Sequence, residues 1–346
     1  MDVKIALIGG GYVGQGFLSV LRKKRELIRS RYGISFELVS ICDRLSGSIL
    51  SPTGLRIHEV LPLLEDGQGL LEYSPADQTC IKGLDVLAGI ELSQADVIVE
   101  CTYSDLTTGE PATTYIRKAL SGHKHVVTCN KGPVALHFNA LRELARSSGV
   151  QFRFEGAVMS GTPVISMLST NFRVDTVLEV RGILNVTTNY ILQSMERGKH
   201  LEDVLKETRE KGMAEMNPDL DIDGYDSMAK LLILMNVMTG GEMQPGNIRR
   251  EGIRNVTLRD IESALEKDLR YRMVAHAWRD EDGSWKGHVG PFKLSLKDPL
   301  YAVKSTRNAL HIRTEDRGEI YLEGPGTGKL ETGATLLCDL TSIFIP

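Results

Sequence analysis

Long uncharged apolar runs are missing from this sequence, and its apolar start, VKIALIGGGYVG, is soon broken by glycine. Neither a membrane-spanning helix nor a signal peptide is therefore expected, and the expected location is the cytoplasm, away from any membrane. An excess of basic residues is missing too. Lysine and arginine number 41 against 45 aspartates and glutamates, a net charge of −4. That leaves no electrostatic footprint for nucleic acid, and the run Arg22-Lys23-Lys24-Arg25 is expected to be the solvated end of a helix. Cysteine is sparse. Cys42, Cys80, Cys101, Cys129 and Cys338 show no CxxC or zinc-type spacing, which points to reduced thiols and excludes a structural metal cluster. What is present is ordinary globular material: 346 residues, 42% hydrophobic and 25% charged, enough for two domains with their own cores.

Val3 to Ile8 reads as an apolar strand that runs into Gly9-Gly10-Gly11-Tyr12-Val13-Gly14 and continues as a helix over Val13 to Lys24. This is GxGxxG in strand–turn–helix context, the dinucleotide-binding fingerprint. Gly9 serves the tight turn, Gly11 the approach of a pyrophosphate and Gly14 the packing of helix on strand. The helix start offers unpaired N–H groups and the positive end of its dipole to phosphate oxygens, so Gly9 to Gly14, with Tyr12 and Val13, are the expected cofactor contacts. A second strand, Phe36 to Ile41, ends at Cys42-Asp43-Arg44. Asp43 suits the free ribose of NAD, whereas Arg44, with Arg56 as a further candidate, suits the 2′-phosphate of NADP. Both cofactors stay open, with Arg44 tilting the balance toward NADP.

A helical insertion around Gly54 to Leu64 precedes Ala95 to Glu100, a buried parallel strand ending at Cys101-Thr102-Tyr103. A helix over Ala112 to Leu120 and a strand over His125 to Cys129 follow, the latter ending in Asn130-Lys131-Gly132-Pro133. Ligands of doubly wound sheets sit beyond the carboxyl ends of strands, which places Thr102, Asn130 and Lys131 where nicotinamide and substrate meet. By position alone Lys131 could equally be an ordinary loop lysine. A thioester role for Cys129 is disfavoured, because no histidine is beside it and an apolar strand end raises a thiol pKa.

The pattern changes after Val150. Strands are expected over Gln151 to Phe154, Thr176 to Ile183, Tyr271 to Trp278 and Ala309 to Tyr321, with a hairpin turn at Glu281-Asp282-Gly283. Helices are expected over Thr187 to Arg197 and Leu201 to Lys211, and Thr332 to Phe344 reads as a helix returning to the first domain. The expected architecture is α/β: a Rossmann-like doubly wound parallel sheet over 1–150 plus 325–346, and a second α+β domain over 151–324 for substrate binding and dimerisation. The second sheet is expected to leave one face without helical cover, and a homodimer through that face follows.

Lys211 to Leu234, KGMAEMNPDLDIDGYDSMAKLLIL, carries Glu215, Asp219, Asp221, Asp223 and Asp226 and then enters an apolar run in which Lys230 stands four residues after Asp226. On a helix that spacing puts both side chains on one face. A solvated loop with one surface ion pair is the bland alternative. Against it stand Met228, Leu231, Leu232, Leu234 and Met235 on the same helix, since a helix apolar nearly all round is buried and its charges need a partner, a ligand or a cleft.

GGGYVG, VVTCNKGP, EGAVMSGTPVI, GILNVTTNYIL, the acidic-apolar segment and GPGTGKLETGA together span nearly the whole chain, which in this order resembles the homoserine dehydrogenases. The resemblance implies reversible oxidation of L-homoserine to L-aspartate 4-semialdehyde with NAD or NADP, in threonine, methionine and isoleucine biosynthesis, by a short form without a fused kinase or regulatory module. It implies substrate carboxylates at Glu215 and Asp226, a catalytic lysine at Lys230, a second lysine near the nicotinamide at Lys131, and cofactor-approaching glycines at Gly212 and Gly328. It also implies a monovalent-cation loop, holding a structural sodium ion, at Glu155, Val158, Ser160 and Thr162, mostly through backbone carbonyls. Departures are Val186 in place of the usual glycine, Cys129 in place of alanine, and Met216-Asn217-Pro218 in place of a PDP-like run. The chemistry is compatible: the substrate ammonium needs carboxylates, and a lysine beside the hydroxyl can stabilise a developing alkoxide. Aspartate-semialdehyde dehydrogenase would need a cysteine nucleophile with a histidine base. Aspartate dehydrogenase and a non-catalytic NAD(P)-sensing protein are the remaining alternatives.

Overall fold

The computed structural model describes residues 1–75, 79–210, 219–241, 243–304 and 306–345. Residues 1–161 with 327–346 form one compact unit and 162–326 a second. In the first, the strands are β1 (Asp2–Ile8), β2 (Ser35–Asp43), β3 (Gly47–Leu50), β4 (Ile81–Lys82), β5 (Val97–Glu100), β6 (His125–Thr128) and β7 (Phe152–Arg153). They lie in the order β4-β3-β2-β1-β5-β6-β7, parallel from β2 to β7, with β3 and β4 added antiparallel at one edge. Strands buried on both faces read as continuous apolar runs, which is why β1 and β5 stand out in the sequence. Val3, Ile5 and Leu7 point into one core with Phe17, Leu61 and Leu336. Ala6 and Ile8 point into the other with Ile116, Leu120 and Leu141. Helices on both faces make this a doubly wound sheet. Its order reverses at β1, so a crevice opens beyond the carboxyl ends of β1 and β5.

The first helix, Tyr12–Tyr32, runs well past Lys24 and stops where Gly33 takes a left-handed φ of 68° and its N–H caps the carbonyl of Arg29. The run Arg22 to Arg25 is therefore an exposed mid-helix face and not a helix end. A charge run solvates a helix without ending it. The C-terminal helix, Lys329–Ser342, crosses this first helix where two glycines meet. A Cβ on Gly16 would stand 1.9 Å from the carbonyl oxygen of Lys329, and one on Gly333 would stand 2.5 Å from the backbone of Gly16.

The second unit holds β8 (Val177–Ile183), β9 (Ile248–Arg250), β10 (Leu269–Arg279), β11 (Trp285–Ser295), β12 (Arg307–Thr314) and β13 (Gly318–Pro325). They form one sheet in the order β13-β12-β8-β10-β11-β9, antiparallel except for β9 against β11. The stretch expected as one strand-rich segment over Ala309 to Tyr321 is two strands of a hairpin. Helices Val186–Met195, Tyr225–Thr239 and Leu258–Leu265 pack on β10. Elsewhere Leu300 and Val303 close over Ile183, Val274 and Leu294. No helix of the described residues is long and apolar enough to cross a membrane.

Candidate active site

The glycine turn is shaped by its neighbours. Gly9 takes a φ of 97°, and a Cβ there would stand 2.6 Å from the carbonyl oxygen of Cys101; one on Gly14 would stand 2.1 Å from the carbonyl oxygen of Gly9. Gly11 caps the helix without a side-chain acceptor, which leaves first-turn N–H groups to an incoming anion. A Cβ on Gly11 would meet nothing within 4 Å, so this side of the turn is open. Tyr12 is exposed and Val13 half-buried beside it. Asp43 does a second job unforeseen from sequence: one carboxylate oxygen accepts the Gly10 N–H at 2.9 Å and the other the N–H groups of Leu45 and Ser46. Arg44 is exposed and makes no ion pair among the described residues. Arg56 is not its neighbour. Its chain segment bonds to Leu38, roughly 16 Å back along β2 from Asp43, and its guanidinium pairs with Glu59 at 3.2 Å.

Gln15 and Lys329 join the same turn from elsewhere. The Gln15 amide donates to the carbonyls of Gly10 and Leu64, and the Lys329 ammonium reaches Gln15 at 3.0 Å. Gly328, with a φ of 146°, begins the helix that carries Lys329, and a Cβ there would stand 2.0 Å from the Glu331 carboxylate. Sequence spacing could not show this junction, because its partners are separated by nearly the whole chain.

At the carboxyl ends of β5 and β6 the side chains converge on Glu100, which is 0% exposed. Its carboxyl accepts the Thr102 N–H at 2.8 Å, the Thr102 hydroxyl, the Thr128 hydroxyl at 2.7 Å and the Asn130 amide at 3.5 Å. Asn130 also donates to the carbonyls of Thr102 and Tyr103 and accepts the Gly132 N–H, capping helix Lys131–Leu136. Lys131 is half-buried in the first turn of that helix, and its N–H reaches the Ser104 hydroxyl at 3.3 Å. Thr102, Asn130 and Lys131 are thus brought together by a glutamate that the sequence marks only as the end of an apolar strand. Beside them the half-buried Cys101 thiol hydrogen-bonds to Cys129, and that contact together with desolvation pushes its pKa well above the usual range. A thiol so held is a poor nucleophile.

Glu155 and Val158 are buried in this unit, the carbonyl of Ser160 accepts the Thr335 hydroxyl, and the Glu155 N–H donates to the Asp339 carboxylate at 2.8 Å. Burial, with Glu155 adding repulsion, pushes the Asp339 carboxyl up to about 7. Thr162 opens the second unit, and its hydroxyl donates to the carbonyl of Pro325 at 3.3 Å.

In the second unit the acidic segment divides. Arg254 pairs with Asp219 and, at 2.5 Å, with Asp223, which makes these two an exposed ion-pair network. Asp226, 5% exposed, pairs with Lys230, 9% exposed, at 2.8 Å across one helical turn. The Lys230 ammonium also donates to the carbonyl of Leu184 at 2.6 Å. Asn185 donates to Asp226 at 2.9 Å and to Asp221 at 2.7 Å, while its carbonyl caps helix Val186–Met195. A buried ion pair with each partner also held by a neutral group is a site, or the support of one, more than a source of stability. Glu215 and Gly212 lie outside the described residues.

Family models match in two parts: "Homoserine dehydrogenase, NAD binding domain" over residues 9–155 and "Homoserine dehydrogenase" over 163–341. An NAD(+)-dependent homoserine dehydrogenase of Pseudomonas canavaninivorans is 34% identical over 99% of this chain and 96% of its own. A homoserine dehydrogenase of Methanocaldococcus jannaschii is 34% identical over 98% of each. Among solved structures, a hyperthermophilic archaeal homoserine dehydrogenase in complex with NADPH superposes with a TM-score of 0.85 at 30% identity, covering 100% of this chain and 99% of that one.

Proposed function

Since the chain belongs to the homoserine dehydrogenase family, we propose that it interconverts L-homoserine and L-aspartate 4-semialdehyde with NAD or NADP, serving threonine, methionine and isoleucine synthesis. The observation that carries this is the buried Asp226–Lys230 pair, braced by Asn185 and the carbonyl of Leu184. The nicotinamide supplies the hydride chemistry. In the direction of reduction, the carbonyl carbon gains a hydride while the Lys230 ammonium gives its proton to the oxygen that becomes the hydroxyl; oxidation reverses both transfers. Asp226 aims the lysine through their ion pair, and Glu215 with Asp226 receives the substrate ammonium. Lys131 adds positive charge near the developing alkoxide.

The cofactor residues are Gly9, Gly11, Tyr12, Val13, Gly14, Thr102, Asn130, Lys131, Gly212 and Gly328. Arg44 stands where it would favour a 2′-phosphate. Asp43, its carboxylate engaged by three backbone N–H groups, also keeps the turn in shape. Residues 1–150 with 325–346 form the dinucleotide domain of this reading and 151–324 the substrate and dimerisation domain of a cytoplasmic homodimer. The same reading takes in a structural sodium ion on Glu155, Val158, Ser160 and Thr162, with the buried Glu155 side chain as its charged ligand.

The test is oxidation of NADPH, then of NADH, with aspartate semialdehyde, using wild type and Lys230→Ala. Turnover by the wild type and a loss of several orders of magnitude in the variant, with cofactor affinity little changed, is the expected outcome. Near-normal activity of the variant would remove Lys230 from proton transfer.

A further inference from the structure

The geometry points to Glu100 as the residue that positions the nicotinamide end of the cofactor crevice and whose buried charge makes that crevice favour the oxidised, cationic ring over the reduced, neutral one. It rests on the cofactor reading above, in which Thr102 and Asn130 border the nicotinamide. Glu100 ends β5, in register with Ile8 of β1 on one side and Thr128 of β6 on the other, at the place where the strand order reverses.

Its partners present hydrogen-bond donors to both carboxyl oxygens. The Thr102 N–H and the Asn130 amide nitrogen can only donate, so the oxygen they share must accept. The other oxygen accepts the Thr128 hydroxyl at 2.7 Å, while the Thr128 oxygen accepts the Asn130 backbone N–H at 2.9 Å. Both oxygens thus accept hydrogen bonds, the arrangement that suits the ionised carboxylate. Yet no cation among the described residues pairs with it. Hydrogen-bond donors ease the burial of a charge but do not cancel it, and burial raises the Glu100 pKa despite all of them.

A carboxylate held in this way has a counter-charge missing. The ring of NAD(P)+ is positive and that of NAD(P)H is not, so the ligand supplies the counter-charge in one redox state only. For unit charges about 12 Å apart at an effective dielectric of about 20, the discrimination is on the order of tenfold in affinity. Positioning and charge then act through the same atoms: Thr102 and Asn130 are set by the carboxylate, and Asn130 caps the helix that carries Lys131.

The experiment measures dissociation constants of NADP+ and NADPH by calorimetry and by nucleotide fluorescence for wild type, Glu100→Gln and Glu100→Asp. Glu100→Gln is expected to weaken NADP+ about tenfold relative to NADPH, while Glu100→Asp, which keeps the charge, retains the wild-type ratio even if both ligands bind less well. Equal losses for both ligands in Glu100→Gln, or no change, would overturn the charge role. Should Glu100→Gln not fold, Thr128→Ala is compared with Thr128→Ser. The alanine variant, lacking the donor, should shift the ratio in the same direction and the serine variant should not; identical ratios would overturn the inference. Failure of wild type to bind either nucleotide would instead defeat the cofactor reading.

Discussion

Three buried carboxyls in this chain meet the same desolvation cost in three ways. Asp226 meets it with an ammonium, Glu100 with neutral donors alone, and Asp339 by rising to about 7, chiefly through burial, with the Glu155 N–H and the Arg153 charge as partial relief. Asp339 therefore makes stability depend on pH with a definite sign. Its folded value exceeds an unfolded value near 4, so the folded state keeps a proton that the unfolded state has released between about pH 4 and 7. Stability falls as pH rises through that window, by a ceiling of about 4 kcal/mol. Asp339→Asn should match wild type near pH 4 and exceed it at pH 8, as read from urea midpoints at both. Parallel losses for the two proteins between those pH values would refute the assignment. Sodium should close part of the gap at pH 8 in wild type, with choline as the control, if the loop from Glu155 to Thr162 holds a cation.

Helices and strands explain which features were legible in the sequence and which were not. A strand buried on both faces leaves an unbroken apolar run, and a glycine fingerprint is contiguous, so β1, its turn and the start of the first helix could be read directly. Asp226 and Lys230 could be paired because a helix converts four residues of spacing into one face. Asn185 and Arg254 could not, since they reach the acidic segment from 41 and 31 residues away. Glu100 was hidden for a related reason: an apolar strand announces its residues as core, and only the fold shows what its last side chain meets. The end of the first helix was misplaced because a left-handed glycine, and not charge, ends it. The crossing of that helix with Lys329–Ser342 gives the prediction at this scale. Gly333→Val places two methyl groups where the backbone of Gly16 and Phe17 stands within 2.6 Å of a Cβ, and should cost about 3 kcal/mol or more as overpacking. A thermal midpoint within a degree or two of wild type would show that the crossing yields easily.

For the molecule as a whole, the sheet of the second unit frames the dimer question. His276, Trp278, Glu179 and Arg313 share one stretch of it, linked by a 2.8 Å contact between His276 and Glu179 and a 3.0 Å ion pair from Arg313. Sedimentation at micromolar concentration should give twice the 38.2 kDa chain mass, and Trp278→Glu should shift the population toward single chains. A wild type that sediments as a monomer would reject the dimer. The return of the C-terminal helix to the first unit has a consequence in time. Synthesised from its N-terminus, the chain makes β1, the glycine turn and Gly16 first, then every residue of the second unit, and only then Gly333. Until residues 329–342 emerge, the face of the first helix around Phe17 and Leu21 lacks Leu336 and Leu340 as partners. The inserted unit can complete its fold while the nucleotide-binding unit around it is still open, so during translation the nascent first unit is the part most exposed to chaperones, and nucleotide should protect it from proteolysis only after the last helix has been added.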